Sequence, residues 1–276
     1  MRTIQRAVAA GIGKPTIICL HSSGGSGAQW KAFADRMQQD FRVLAPDLYG
    51  HGTAPDWYGV PGDIVAADTA RIAHLAAATS SAVHLVGHSY GGAIALRVAL
   101  QYSRRVASVV VYEPVTFRVL FDYNRKHPVA AEAAEVADRV RRALLAGDTE
   151  RAAERFIDYW AGTGQWARFA PDKQAAIAQR MPVIHSHFVS LRNDAIHLRD
   201  YAEVAAPVLY LSGRGTRAST RRIGELLSYA LPYVEQDILN GMGHLGPITH
   251  AETVAQRIAR FVYRHAGSPV TERLAA

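Results

Sequence analysis

The sequence predicts an α/β protein: a doubly wound, mostly parallel sheet with a helical cap inserted after the sixth strand position. Three observations carry this expectation. Short continuous apolar runs such as "PTIICL" (15–20) and "AVHLVGH" (82–88) have the length and composition of strands buried on both faces. Between such runs lie segments with apolar residues at helical spacing, as in "DIVAADTARIAHLAAAT" (63–79), so strand and helix alternate as a parallel sheet requires. From residue 117 to 200 the alternation stops and only helical patterns remain.

Taken in order, residues 3–10 are expected as a short strand and 15–20 as the first buried one. "HSSGGSGAQW" (21–30) is a loop rich in glycine and serine, followed by a short helix over 30–38 and a strand in "FRVLAP" (41–46). A loop (47–59), the helix over 63–79 and the strand over 82–88 come next, then a helix over 90–103 and a strand in "VASVVVYEP" (106–114). The inserted segment holds a long amphipathic helix (127–148), with Pro128 at its start and Gly147 at its end, and helical pieces over 149–162 and 171–184. Strands in "PVLYLSG" (207–213) and "YVEQDIL" (233–239) alternate with helices over 219–230 and 250–265, and the tail "GSPVTERLAA" is expected to fray. The segment 117–200 is rich in aromatics (Phe156, Tyr159, Trp160, Trp166, Phe169) and must pack on something. The C-terminal edge of the sheet, where open α/β sheets keep their sites, is the natural seat. The expected division is a core of 1–116 and 201–276 and a helical cap of 117–200.

Bulk properties narrow the function. The formal net charge is +7, but the basic residues fall in scattered pairs (Arg104-Arg105, Arg141-Arg142, Arg221-Arg222), with no basic run and no basic stripe interleaved with aromatics, so nucleic-acid binding is not expected. The single cysteine, Cys19, lies in an apolar run and reads as a buried strand residue; it allows no intrachain disulfide. No apolar stretch approaches the ~20 residues that cross a bilayer, and the N-terminus lacks a signal-peptide pattern, so no membrane association and a cytoplasmic location are expected.

The stretch "HLVGHSYGGAIAL" (84–96) carries the chemistry. Gly87-His88-Ser89-Tyr90-Gly91 fits G-x-S-x-G between a buried strand and a helix. Such a turn lifts a serine Oγ above the sheet at the positive end of the following helix, and side chains at −2 and +2 would collide with neighbouring chain. A dinucleotide-binding junction would need G-x-G-x-x-G, which is absent.

With these residues the chain resembles the α/β-hydrolase fold family over nearly its whole length. "LHSSGGSGAQW" looks like the strand and oxyanion loop of that family. "PDLYGHG" looks like its next loop, "GHSYGG" like its nucleophile elbow and "NGMGHLGP" (240–247) like its histidine loop. The resemblance implies Ser89 as nucleophile, His244 as base, and the amides of Ser23 and Tyr90 as the oxyanion hole, with no cofactor and no metal. His21 and His51 are expected to orient loop backbone. His185 and His187 have an H-x-H spacing but no acidic or cysteine partners, and read as packed or solvated. Ser22, His88 and Trp160 are expected at the substrate site, His88 also shaping the elbow.

At the acid the chain departs from the family. Where the resemblance implies an aspartate, "Gly213-Arg214-Gly215-Thr216" puts Thr216, which cannot serve. The end of the sixth strand offers Glu113, a position from which haloalkane dehalogenases take their acid; the plain alternative is that Glu113 only caps a turn.

The leading expectation is a serine hydrolase that cleaves a carboxylic ester of a small apolar or aromatic substrate through an acyl-enzyme. The same residues fit a cofactor-free C–C bond hydrolase of aromatic degradation, a lactonase, an amidase or a perhydrolase, since fold does not fix substrate. A non-catalytic ligand receptor on the same scaffold draws support from the missing aspartate. The expected partner is a small molecule, and an exposed apolar cap edge would allow a homodimer.

Overall fold

The computed structural model describes residues 13–267. The strand expected over 3–10 and nearly all of the C-terminal tail lie outside the described residues. Six strands form one sheet: β1 (Thr16–Leu20), β2 (Arg42–Leu44), β3 (Val83–His88), β4 (Val106–Tyr112), β5 (Val208–Gly213) and β6 (Val234–Leu239). Their order is β2-β1-β3-β4-β5-β6, and every pairing is parallel.

The period-two alternation of the strands divides the core into two layers. Ile18 and Leu20 of β1, with Val109 and Val111 of β4, face one apolar cluster. Ile17, Cys19, Val110 and Tyr112 face the other. The first cluster is completed by α2 (Ile64–Ala77), α3 (Tyr90–Gln101) and α8 (Ala218–Ala230) through residues such as Ile72, Ile94 and Ile223. The second is completed by α1 (Lys31–Met37) and α10 (Ala251–Arg264) through Phe33, Met37, Ile258 and Phe261. Strands covered on both faces favour apolar residues on both, which is why β1 reads as a run from Ile17 to Leu20. Cys19 is one of them, and burial pushes its thiol far above the ordinary range, so it is inert packing.

Between β4 and β5 the chain is helical: α4 (Arg118–Asn124), α5 (Pro128–Leu145), α6 (Thr149–Ala161) and α7 (Pro171–Arg192). Among the described residues these helices follow the fourth strand. Helix α7 departs from expectation. The sequence pattern ends it near 184, but it runs to Arg192 with Pro182 inside it. An internal proline costs a helix about 3 kcal/mol. Here Ile184, His187, Phe188 and Leu191 are buried on the half beyond it, and burying a large apolar side chain returns about 1.5–3 kcal/mol each. The C-terminal helix α10 (Ala251–Arg264) lies where the sequence places it, with a short α9 (Gly246–Thr249) ahead of it.

The chain leaves β1 toward β2 on one side and returns to β3 on the other, so the strand order reverses between β1 and β3. Loops diverging at such a point leave a crevice at the C-terminal ends of the strands. His21, Ser89, Glu113, Thr216 and His244 all follow C-terminal strand ends and so share that rim.

Candidate active site

Ser89 sits between β3 and α3 with φ 54° and ψ −114°. Among the described residues only Ser89 and Glu113 (φ 45°) combine a side chain with positive φ. Such backbone costs on the order of 1–3 kcal/mol and persists only where the surroundings impose it. The Ser89 amide donates to the Tyr112 carbonyl (2.9 Å), and its own carbonyl accepts from Ala93 N–H (3.1 Å). The flanking glycines have the steric cause expected of them. A Cβ on Gly87 would run into the Gly91 carbonyl, and one on Gly91 into the Leu20 and His21 carbonyls.

Three residues far apart in sequence meet above this turn. His244 Nε2 lies 2.9 Å from Ser89 Oγ, and His244 Nδ1 lies 2.7 Å from Glu113 Oε2. All three are buried. Glu113 accepts two further hydrogen bonds: Gly213 N–H to Oε1 at 2.8 Å and Thr216 Oγ1 to Oε2 at 2.6 Å. Both oxygens are thus occupied by donors, which a fully buried carboxylate needs. With acceptor-only oxygens on Glu113, His244 carries its proton on Nδ1 and turns the Nε2 lone pair toward the Ser89 hydroxyl. Thr216, which cannot be an acid, supplies a donor to the acid that is present. Trp160 of α6 stacks on the His244 ring, centroids 3.9 Å apart and planes at 26°.

The loop after β1 is held by two histidines. Leu48 N–H donates to His21 Nε2 (3.0 Å), and Gly24 N–H donates to His51 Nε2 (3.0 Å). Each ring therefore keeps its proton on Nδ1, where it meets the Ser22 or the Tyr49 carbonyl. Asp47 fixes the facing loop by accepting from Gly27 N–H and Thr53 N–H, both at 2.8 Å. Ser22 N–H points to Gln29 Oε1 (3.3 Å), and Gly25 N–H to the Ser22 carbonyl (3.0 Å). Among the described residues neither the Ser23 nor the Tyr90 amide has an intramolecular acceptor. The Tyr90 amide is the first of its helix, where no carbonyl of the preceding turn exists to take it.

A cavity of about 420 Å³ opens onto Ser89 and His244. Its inner wall is apolar, with Phe117, Phe156, Trp160, Ile177, Phe188 and Leu191 among its residues. Ser22 and Ser23 also line it, and Lys173 of α7 stands at its exposed mouth over the Phe169 ring. His88 needs correction. It is fully buried and lies outside the cavity wall, its Nε2–H donating to the His244 carbonyl (2.8 Å) while Nδ1 accepts from Gln29 Nε2 (3.1 Å). It ties the histidine loop to the loop after β1.

Three contributors escape a sequence reading: Gln29, which links Ser22 to His88; Thr216, which holds Glu113; and His187 of α7, whose Nδ1 lies 2.7 Å from Ser23 Oγ. The H-x-H spacing flags His187 but not its partner. His185 is only half-buried. Among the described residues no three His, Cys, Asp or Glu side chains converge as metal ligands, and no helix is long and apolar enough to cross a membrane.

The buried histidines give the protein a pH signature. Burial lowers His51 and His84 from 6.5 to about 4, and it also lowers His21, His88 and His187. Between pH 6.5 and 4 the unfolded chain therefore binds more protons at these sites, and stability is lost as pH falls. Asp68 opposes this: burial raises it from 3.8 to about 6, so its contribution falls as pH rises through that window. Five histidines shifted down outweigh one carboxyl shifted up, so the net dependence follows the histidines. Urea melts are expected to show lower stability at pH 5 than at pH 7; equal stability would contradict the buried neutral histidines.

The family model described as "Alpha/beta hydrolase family" matches residues 17–257. A pimeloyl-[acyl-carrier protein] methyl ester esterase of Vibrio atlanticus (strain LGP32) is 26% identical over 266 residues, covering 91% of this chain and 95% of that protein. The enzyme of the same description from Vibrio parahaemolyticus serotype O3:K6 is 29% identical, covering 88% and 92%. Among solved structures, a hydrolase from Pseudomonas aeruginosa PA01 superposes with a TM-score of 0.73 at 22% identity, covering 91% of each chain. The enol-lactonase of Burkholderia xenovorans LB400 superposes with a TM-score of 0.69 at 21% identity, covering 91% and 92%. These two likenesses show the fold.

Proposed function

The chain belongs to the alpha/beta hydrolase family, and from that membership we propose that it hydrolyses a carboxylic ester with an apolar or aromatic acyl group through an acyl-enzyme on Ser89. The single observation that carries the reading is the continuous chain Ser89 Oγ, His244, Glu113, at 2.9 and 2.7 Å. In this account the three form a catalytic triad. His244 Nε2 takes the Ser89 proton as Oγ attacks the ester carbonyl. The oxygen of the tetrahedral intermediate is held by the free Ser23 and Tyr90 amides, which act as the oxyanion hole. His244 then returns the proton to the departing alcohol, and a water, deprotonated by the same nitrogen, releases the acid and restores Ser89. Glu113 holds the tautomer and offsets the charge of the imidazolium. The Trp160 face stacked on that ring adds a cation–π contribution of about 0.5–2 kcal/mol.

The aromatic and aliphatic wall favours an acyl chain or ring over a polar one. We read residues 117–200 as a lid that supplies this wall. The Vibrio relatives named for methyl ester cleavage fit the same reaction class.

A panel of p-nitrophenyl esters of increasing chain length, with an aromatic ring-cleavage product added, tests the reading. Saponification of medium-chain or aryl esters, with fluorophosphonate labelling at Ser89, is the expected result. Inert esters beside a cleaved ring product would move the reading to C–C bond hydrolysis. No turnover and no labelling would leave a ligand receptor.

A further inference from the structure

His187 stands outside the Ser89–His244–Glu113 chain, yet it touches the residues on both sides of the cavity that carry the free amides. Its Nδ1 bonds Ser23 Oγ at 2.7 Å, a partner 164 residues away. Its ring stacks on Tyr90 with centroids 3.6 Å apart and planes at 7°. It also stacks on His51 at 5.3 Å and 18°, and His51 holds the Gly24 amide next to Ser23. Tyr90 is in turn anchored below by its hydroxyl, which donates to the buried Asp68 at 2.8 Å. One side chain of α7 therefore joins the loop after β1 to the first residue of α3.

Simple packing does not account for an imidazole here. The ring is buried, and its Nε2 has no hydrogen-bond partner. Leaving a buried nitrogen unpartnered is a cost that a phenyl ring in the same slot would avoid. What the imidazole adds over a phenyl ring is the bond to Ser23.

We propose that His187 is a positioning residue that fixes the Ser23 and Tyr90 amides at the spacing an oxyanion requires, so that the oxyanion site is complete only when the helical insertion is seated on the sheet edge. The proposal rests on the assignment of those two amides under Proposed function. It makes α7 a gate on chemistry as well as a wall of the cavity. A donor shifted by about 1 Å costs about 100-fold in rate, so loss of the bond reaches kcat. His187 and Ser23 both line the cavity, and Ser23→Ala, which leaves its aromatic wall untouched, separates this effect from substrate fit.

The test compares His187→Phe, which keeps a stacking ring, with Ser23→Ala, which keeps the amide and removes only the hydroxyl, and with the double variant. Each single variant is expected to lower kcat by about 10- to 100-fold with KM nearly unchanged. The double variant is expected to be no worse than either, because both remove one bond. Affinity for a trifluoromethyl ketone, whose hemiketal oxygen occupies the oxyanion site, should fall in parallel with kcat, and His187→Asn, which places a polar atom near the Nδ1 position, should recover part of the loss. Wild-type kcat in His187→Phe, or losses that add in the double variant, would overturn the proposal. Should His187→Phe fail to fold, Ser23→Ala alone decides, since its loop change leaves the core intact: an unimpaired kcat there overturns the proposal. A wild-type protein that hydrolyses no ester and escapes labelling at Ser89 would remove the underlying reading and the proposal with it; an active wild type with unimpaired variants removes only the proposal.

Discussion

Ser89→Ala is expected to lower ester turnover by about a millionfold while the protein stays folded. Nucleophile removal in a serine hydrolase has that order of effect, and the residual rate over water comes from oxyanion donors and binding alone. The structural ground is specific to this chain. The hydroxyl at residue 89 lies within hydrogen-bond reach of His244 Nε2, and the backbone that presents it is held at φ 54° by its neighbours. Steady-state kinetics of the variant, with its circular dichroism spectrum as the folding control, check this. Turnover near that of wild type would mean that another group carries the reaction.

Glu113→Gln is expected to lower kcat by about 10⁴-fold, the effect of turning the base to the wrong tautomer. Glutamine has one acceptor oxygen where Glu113 meets three donors: Gly213 N–H, Thr216 Oγ1–H and His244 Nδ1–H. The new amide group must face one of those donors, leaving a buried clash or an unpaired donor worth about 1–3 kcal/mol of stability. The kinetic loss should therefore come with a lower denaturation midpoint. Thr216→Val removes one donor and leaves the carboxylate and its bond to His244, so its kcat should fall far less. Equal losses in the two variants would show that the site depends on packing around strand β5 and not on the charge of residue 113.

The fold and the strand-to-helix turn at Ser89 were legible because both are written locally. A strand buried on two faces is apolar on both, as "IICL" (17–20) is. A turn that passes so close to a neighbouring carbonyl must be glycine at both flanks, as Gly87 and Gly91 are. Glu113 was half legible: its place at a strand end is local, but its reach to His244 spans a separation of 131 positions. The rest depends on pairs that no spacing rule connects. Gln29 meets His88 across 59 positions, and His187 meets Ser23 through a helix that a proline rule would have ended early. The position of His88 depends on such a partner too, the His244 carbonyl 156 positions away. Its sequence neighbour is Ser89, but its ring is held by the histidine loop and by Gln29, outside the cavity wall.

The central claim is that the Ser89 oxygen becomes covalently acylated. The most direct measurement is acid-quenched mass spectrometry of the enzyme within its first turnover of a p-nitrophenyl ester. The account predicts one acyl group per chain, carried on the peptide that contains Ser89, formed slowly in Glu113→Gln and absent in Ser89→Ala. An enzyme that hydrolyses the ester with no acyl mass on that peptide, or with the same mass in Ser89→Ala, would contradict it.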